Sequence, residues 1–164
     1  MTAANADRAT TARRERILLV GSSGGHLAQL LALRPWWEEH ERAWVTFDTA
    51  DAVGALRDEK HVTWSYHPTT RNIPNLLRNT VQAVAVMRRF KPTVIVSTGA
   101  ASAVPYFVLG RAAGVRTVYI EVFDRIDSAT LTGRLVRPFT DLMLVQWPEQ
   151  APLYDDSVTI GPLL

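Results

Sequence analysis

The spacing of apolar and polar positions changes several times along the chain, and each change marks an element. Ile17 to Val20 is an unbroken apolar run, and Leu27 to Leu33 carries leucines at helical spacing. Between them lies Gly21-Ser22-Ser23-Gly24-Gly25-His26, so a strand is expected to feed a helix through a glycine-rich turn. Pro35-Trp36-Trp37 and the charged stretch Glu38 to Arg42 close this unit, and Ala43 to Phe47 reads as a second strand ending at Asp48. Asp51 to Arg57 reads as a short helix and Val62 to Tyr66 as a third strand, followed by an exposed polar loop, His67 to Pro74, containing Arg71 and Asn72. Asn75 to Phe90 is expected to be an ordinary amphipathic helix, with Leu76, Leu77, Val81, Val84 and Phe90 opposing Arg78, Asn79, Gln82, Arg88 and Arg89.

The second half repeats the alternation. Thr93 to Ser97 is a nearly continuous β-branched run, as in a central strand covered on both faces, and Thr98-Gly99-Ala100 turns it into a helix from Ala101 to Ala113. Gly114 stops that helix and Arg116 to Ile120 gives a fifth strand. A long polar connection follows, Glu121 to Gly133, holding Asp124, Arg125, Asp127 and Ser128. Leu131 to Pro138 reads as a helical turn, Leu142 to Val145 as a sixth strand, and Ser157 to Ile160 as a last short strand. The pattern predicts an α/β fold, a Rossmann-like open parallel sheet with helices on both faces. One domain over residues 16–164 is expected, preceded by a disordered tail over 1–15, which is polar and alanine-rich.

Composition narrows the classes. With 47% hydrophobic residues in 164, the chain is long enough for one sizeable core. It has no cysteine, which removes disulfides and thiolate chemistry and makes the cytoplasm the default compartment. A net charge of +2 favours anionic surfaces only mildly and does not suggest nucleic acid as a partner. No apolar run is long enough to span a bilayer, and the N-terminus lacks the apolar centre of a signal peptide. The arginines about the 75–90 helix give a basic amphipathic surface compatible with anionic lipid, or equally with a solvated helix face.

In a parallel sheet, the loops 21–26, 98–100 and 121–125 all follow strands, so three polar segments should meet on one edge. The glycine-rich turn leaves N–H groups at the positive end of a helix, a setting that favours phosphate. It is neither a dinucleotide fingerprint nor a nucleoside-triphosphate loop. Gly21-Ser22-Ser23-Gly24-Gly25 formally matches a serine nucleophile elbow, but no histidine follows His67, so a Ser23 nucleophile is disfavoured. The four histidines show no metal-ligand spacing, and neither metal nor cofactor is expected. His26 reads either as a general base or phosphate donor, or as a local cap. Glu121, directly after an apolar run, is a candidate acid, base or sugar-hydroxyl acceptor, or a salt-bridge partner of Arg125. Arg71 and Arg125 have the chemistry to hold phosphate oxygens, although each alone reads as a solvated loop arginine.

Taken in order, Gly21 to His26, Phe47-Asp48-Thr49, Ser97-Thr98-Gly99, Tyr119-Ile120-Glu121, Leu131-Thr132-Gly133 and Val145-Gln146-Trp147-Pro148 form a series. From about Arg16 onward it resembles the acceptor-side subunit of split lipid-linked-sugar glycosyltransferases. These include the eukaryotic anchor subunit of the dolichol-linked N-acetylglucosamine transferase and bacterial capsule and exopolysaccharide proteins. They are similar to the N-terminal half of the peptidoglycan lipid-linked N-acetylglucosaminyltransferase. The resemblance implies the N-terminal half of a GT-B fold, in a glycosyltransferase subunit inactive without its partner. The UDP-sugar would be held mainly by that donor-binding partner, and this chain would bind a polyprenyl-diphosphate-linked sugar acceptor. It further implies an inverting transfer with His26 and Glu121 as catalytic residues. Ser22, Ser23, Gly24, Gly25, Thr98, Gly99, Arg71 and Arg125 would bind the acceptor and its phosphates. Two departures stand out. The N-terminal transmembrane helix of the eukaryotic subunit is missing, so peripheral attachment to the cytoplasmic face of a membrane is expected. Val122-Phe123 replaces the small polar residue expected after Glu121. A non-catalytic scaffold that recruits the donor-binding subunit to the membrane is the alternative reading.

Overall fold

The structure, a computed structural model, describes residues 14–69 and 72–164. The tail expected over 1–15 falls outside it except for Arg14 and Glu15. Glu15 is bound to the sheet, its carboxylate taking the Arg116 guanidinium at 2.6 Å and the Thr93 hydroxyl.

Seven strands form one sheet in the order β3-β2-β1-β4-β5-β6-β7, and every neighbouring pair is parallel. They are β1 (Arg16–Val20), β2 (Glu41–Thr46), β3 (Val62–Trp64), β4 (Val94–Ser97), β5 (Arg116–Ile120), β6 (Leu142–Val145) and β7 (Val158–Thr159). The helices are α1 (Gly25–Ala32), α2 (Arg34–Trp37), α3 (Ala50–Ala55), α4 (Ile73–Phe90), α5 (Ala103–Ala112) and α6 (Leu131–Val136). Alternate side chains of β1 enter two separate cores. Leu18 and Val20 pack with Ala83 of α4, Tyr106 and Phe107 of α5, and Val136 of α6. Ile17 and Leu19 pack with Leu27 and Leu30 of α1, Trp37 of α2 and Ala52 of α3. Burial on both faces is the reason these strands read as continuous apolar runs rather than alternating ones.

From β1 the chain steps outward to β3, then α4 carries it back across to β4 on the other side of β1. At that reversal the loops after β1 and β4 diverge and leave a crevice at the carboxyl edge of the sheet.

Helix α4 departs from the expected ordinary amphipathic helix in its first half. There Ile73, Leu77 and Val81 are 70%, 63% and 72% exposed while Asn79 is 1% exposed, whereas further along Ala83, Val86, Met87 and Phe90 pack on the core. The cause lies in β3, a three-residue edge strand beyond which no further strand pairs among the described residues. Asn79 supplies the missing partner. Its Oδ1 accepts from Tyr66 N and its Nδ2 donates to Tyr66 O, both at 2.9 Å. Gln82 donates to Trp64 O at 2.9 Å and Asn75 to Pro68 O at 3.0 Å. Backbone groups beside the helix need partners, so in its first half Asn75, Asn79 and Gln82 turn inward. The helix also starts earlier than expected, at Ile73, because Pro74 is tolerated in a first turn and Asn72 caps it by accepting from Asn75 N at 3.0 Å.

Candidate functional site

The glycine turn after β1 ends at Gly24, whose φ of 69° and ψ of −133° suit only glycine and which precedes the first residue of α1. Gly24 and Gly25 are exposed, and Ser22 and Ser23 are half-buried beside them. The first three N–H groups of α1 have no intrahelical acceptor and point out of the helix end. The Gly24 N–H is already engaged by a residue that the sequence reading assigned no role. Asp51 accepts it with its carboxylate at 3.0 Å. The neighbouring Thr49 hydroxyl and the Gly24 N–H hold the Asp51 carboxyl below its ordinary pKa.

His26 follows one residue into the helix and meets the turn after β4. Its Nδ1 lies 2.8 Å from the carbonyl oxygen of Thr98, and the Thr98 hydroxyl donates back to the His26 carbonyl at 2.9 Å. A carbonyl only accepts, so Nδ1 carries the proton and Nε2 keeps its lone pair in the neutral ring. Burial pushes the His26 pKa below 6.5, opposed by the Thr98 hydrogen bond and by the charges of Asp124 and Glu121. The positive end of α1 acts in the same direction as burial. The result is an imidazole that is neutral at pH 7, of fixed tautomer and free at one nitrogen, which is what a general base requires.

Gly99 makes room for that ring. A Cβ at this position would lie 2.6 Å from His26 Cε1, and its φ is +130°. Ala100 follows with φ 82°, an uncommon value for alanine, so the turn after β4 is backbone-strained beside His26. Ser97 braces it by accepting from Gly99 N at 3.0 Å.

Glu121 is fully buried. Its carboxylate accepts from Val122 N at 3.0 Å, from Thr130 N at 3.2 Å and Thr130 Oγ1 at 3.1 Å, and from the Tyr154 hydroxyl. These partners, rather than Arg125, satisfy it, and they pin the start of the β5–α6 loop to its end. Burial and the adjacent carboxylate push the Tyr154 hydroxyl far above its usual pKa, so it stays a donor. Gly133 has no side chain because a Cβ there would collide with the Tyr154 hydroxyl and approach Glu121 Oε2 to 2.8 Å.

The rest of that loop is gripped by the segment after β6. Gln150 donates to Val122 O at 2.7 Å and Arg125 O at 2.8 Å, and the Trp147 indole donates to Phe123 O at 2.7 Å. Carbonyls 122, 123 and 125 are thereby held, and the Asp124 and Arg125 side chains remain exposed. The structure therefore brings His26, Gly24 and Gly25 together with Thr98 and Gly99, and sets Glu121 and Asp124 near enough to act on His26 by charge. Arg71 lies outside the described residues. The sequence reading assigned no role to Asp51, Asp124, Gln29 or Gln150. Only contacts between distant segments reveal them, although the Gln146-Trp147 pair was visible as a motif.

A family model described as "Oligosaccharide biosynthesis protein Alg14 like" matches residues 56–163, more than half of the chain. The chain belongs to this Alg14-like family. Among its relatives is the human UDP-N-acetylglucosamine transferase subunit ALG14, 24% identical over 178 residues, covering 90% of this chain and 82% of that protein. The corresponding subunit of Schizosaccharomyces pombe is 39% identical over 75 residues, covering 43% of this chain and 36% of that relative. Of solved structures, MurG of Acinetobacter baumannii superimposes with a TM-score of 0.73 at 16% identity, over 90% of this chain and 45% of MurG. The UDP complex of Staphylococcus aureus MnaA gives a TM-score of 0.70 at 14% identity, over 91% of this chain and 45% of MnaA. The fold of the Alg14-like chain is thus that of a single half of larger GT-B-type proteins.

Proposed function

We propose that the chain is the acceptor-binding subunit of a two-chain glycosyltransferase, which moves a sugar from a UDP-sugar to a polyprenyl-diphosphate-linked saccharide. The observation that carries this reading is the neutral, singly available His26 imidazole at the glycine turn of an Alg14-like chain. Relatives named as UDP-N-acetylglucosamine transferase subunits make that nucleotide sugar the first donor to test. Those relatives are named as subunits, which supports a separate partner chain for donor binding, and this chain spans 45% of MurG and 45% of MnaA.

In this reading, the acceptor diphosphate lies over Gly24, Gly25 and the free N–H groups of α1, flanked by Ser22, Ser23, Thr98 and Gly99. Arg125 supplies countercharge, and Arg71 is assigned the same role from the sequence resemblance alone. His26 Nε2 takes the proton from the acceptor hydroxyl as that oxygen attacks the anomeric carbon and the C–O bond to UDP breaks. Asp124 and the Thr98 carbonyl stabilise the imidazolium so formed. Glu121 has no exposed oxygen, and its role is to hold the β5–α6 loop in register rather than to exchange protons with substrate.

The outward apolar stripe of α4, flanked by Arg78, Arg88 and Arg89, would lie on the cytoplasmic face of an anionic membrane, peripherally. Among the described residues no helix is long and apolar enough to cross one. Exposed Leu131 and Leu135 of α6 lie on the same side of the sheet, with α5 between α6 and α4.

The test is His26→Ala in the complex with the donor-binding subunit. Turnover is expected to fall about 10²- to 10⁴-fold, the span of general-base catalysis. Vesicle binding and co-purification with the partner should persist. Full turnover in the variant would remove His26 from the chemistry and favour the scaffold reading.

A further inference from the structure

The carboxyl edge of the sheet contains three glutamines with almost no exposure, Gln29 at 1% and Gln146 and Gln150 at 0%. A buried amide without partners is costly, and these three are fully engaged. Gln150 grips the β5–α6 loop, as described. Gln146 does something else, linking segments far apart in the chain. Its Nε2 donates to Gln29 Oε1 at 2.5 Å and to the Glu121 carbonyl at 2.8 Å, while its Oε1 accepts from Leu163 N at 2.9 Å. Gln29 in turn donates from Nε2 to the Gly25 carbonyl at 3.2 Å, in the turn of α1 that carries His26.

From this chain of contacts we infer that Gln146 is a positioning residue for the transfer reaction, fixing the first turn of α1 against the β5–α6 loop and thereby the His26 ring against Thr98. The inference rests on the reading of His26 as the base, which it deepens. The reciprocal Thr98 contacts tie His26 to the β4 turn, and Gln29, four residues along the same helix and bonded to the Gly25 carbonyl, ties α1 to Gln146. Gln29 has no other described acceptor or donor than Gly25 and Gln146. When Gln146 is removed, the Gln29 carbonyl becomes an unpaired buried acceptor and the amide must turn away from Gly25 to find a donor. Helix α1 then loses its side-chain link to the β5–α6 loop, and His26 gains freedom to leave Thr98. A leucine of similar size fills the space and makes none of the three bonds.

The experiment follows the ring itself. In the full chain with 15N-labelled histidine, NMR of the wild type should show His26 as the Nδ1-protonated tautomer, titrating below 6.5. In Gln146→Leu its titration should move up toward the ordinary value of about 6.5, because the loss of burial outweighs the loss of the Thr98 bond, and the tautomers should mix once that bond no longer fixes them. Asp124 and Glu121 are the charged groups facing the ring, and both remain. In the complex with the donor-binding subunit, kcat should fall about 10- to 100-fold with the acceptor KM nearly unchanged, the signature of a misplaced group. Met143→Ala, at a buried residue of the preceding strand β6 and outside the network, is a control for general loosening and should leave the His26 signals in place. Should Gln146→Leu not fold, Gln29→Leu breaks the same link from its other end and should give the same His26 spectrum. Wild-type tautomer and titration in the folded variant would overturn the inference. If the wild-type complex transfers no sugar, the functional reading fails, while the histidine spectra still decide whether Gln146 positions His26.

Discussion

His26 is held on three sides by groups whose chemistry leaves little choice. The Thr98 carbonyl fixes its tautomer, Gly99 yields the space for the ring, and burial keeps it neutral. Gly99→Ala tests the fit, since both the positive φ and the 2.6 Å approach to Cε1 act against a methyl group. It should destabilise the chain by about 1–3 kcal/mol, measured by denaturant unfolding, and reduce transfer at least tenfold by displacing the ring. The rate should also follow the protonation of His26. A base acts when unprotonated, so kcat/KM for the acceptor should rise with pH through a value below 6.5 and level off above it. His26→Ala should remove that rise. The same depression has a stability consequence of fixed sign. The unfolded chain takes up the proton first, so the His26 contribution is present above about 6.5 and is lost as pH falls through the folded value. Of these residues, His26 and the glycines were legible because glycine clusters and histidines stand out in a sequence. Asp51 and Asp124 were not, because one exposed acidic side chain resembles another until a loop from elsewhere arrives beside it.

The elements divide in the same manner. β1 and β4 were legible as apolar and β-branched runs, since both faces of a central parallel strand are buried. The inner and outer faces of α4 were not, and the reason is local hydrogen bonding overriding the apolar pattern. Asn75, Asn79 and Gln82 satisfy backbone beyond the short edge strand β3, and that requirement turns Ile73, Leu77 and Val81 outward. A helix that exposes its apolar side implies a surface to cover it. Replacing Ile73 and Leu77 together by Glu should reduce co-sedimentation with anionic vesicles by about tenfold or more while leaving the thermal midpoint near the wild-type value, because neither side chain enters a core. Vesicle binding equal to wild type would move the membrane contact to another face. Glu121 belongs here as well. A carboxylate at a strand end invites a catalytic reading, but its four donors make it the fastening of the β5–α6 loop.

Across the whole molecule, the topology places the glycine turn, the strained β4 turn and the gripped β5–α6 loop along one edge, with the exposed stripe of α4 on the flank. An acceptor with a lipid tail and a diphosphate needs both features, an apolar surface for the tail and a cationic or N–H-rich edge for the phosphates. The site is an open edge rather than a closed pocket: Gly24 and Gly25 are exposed, and a cavity of about 470 Å³ among Glu38, Glu39, Asp58 and Glu59 lies at the opposite end of the strands. Closing an active site excludes water and strengthens its electrostatics, and here a second chain over the edge would do this. The most direct measurement is transfer of labelled sugar from UDP-N-acetylglucosamine, and from a panel of other UDP-sugars, to membrane lipid extract by this chain, by the donor-binding subunit, and by both together. Label in the lipid fraction only when both chains are present is the predicted result. Transfer by this chain alone, or none from a stable complex across the panel, would contradict the assignment of the chain as the acceptor half of a two-chain enzyme.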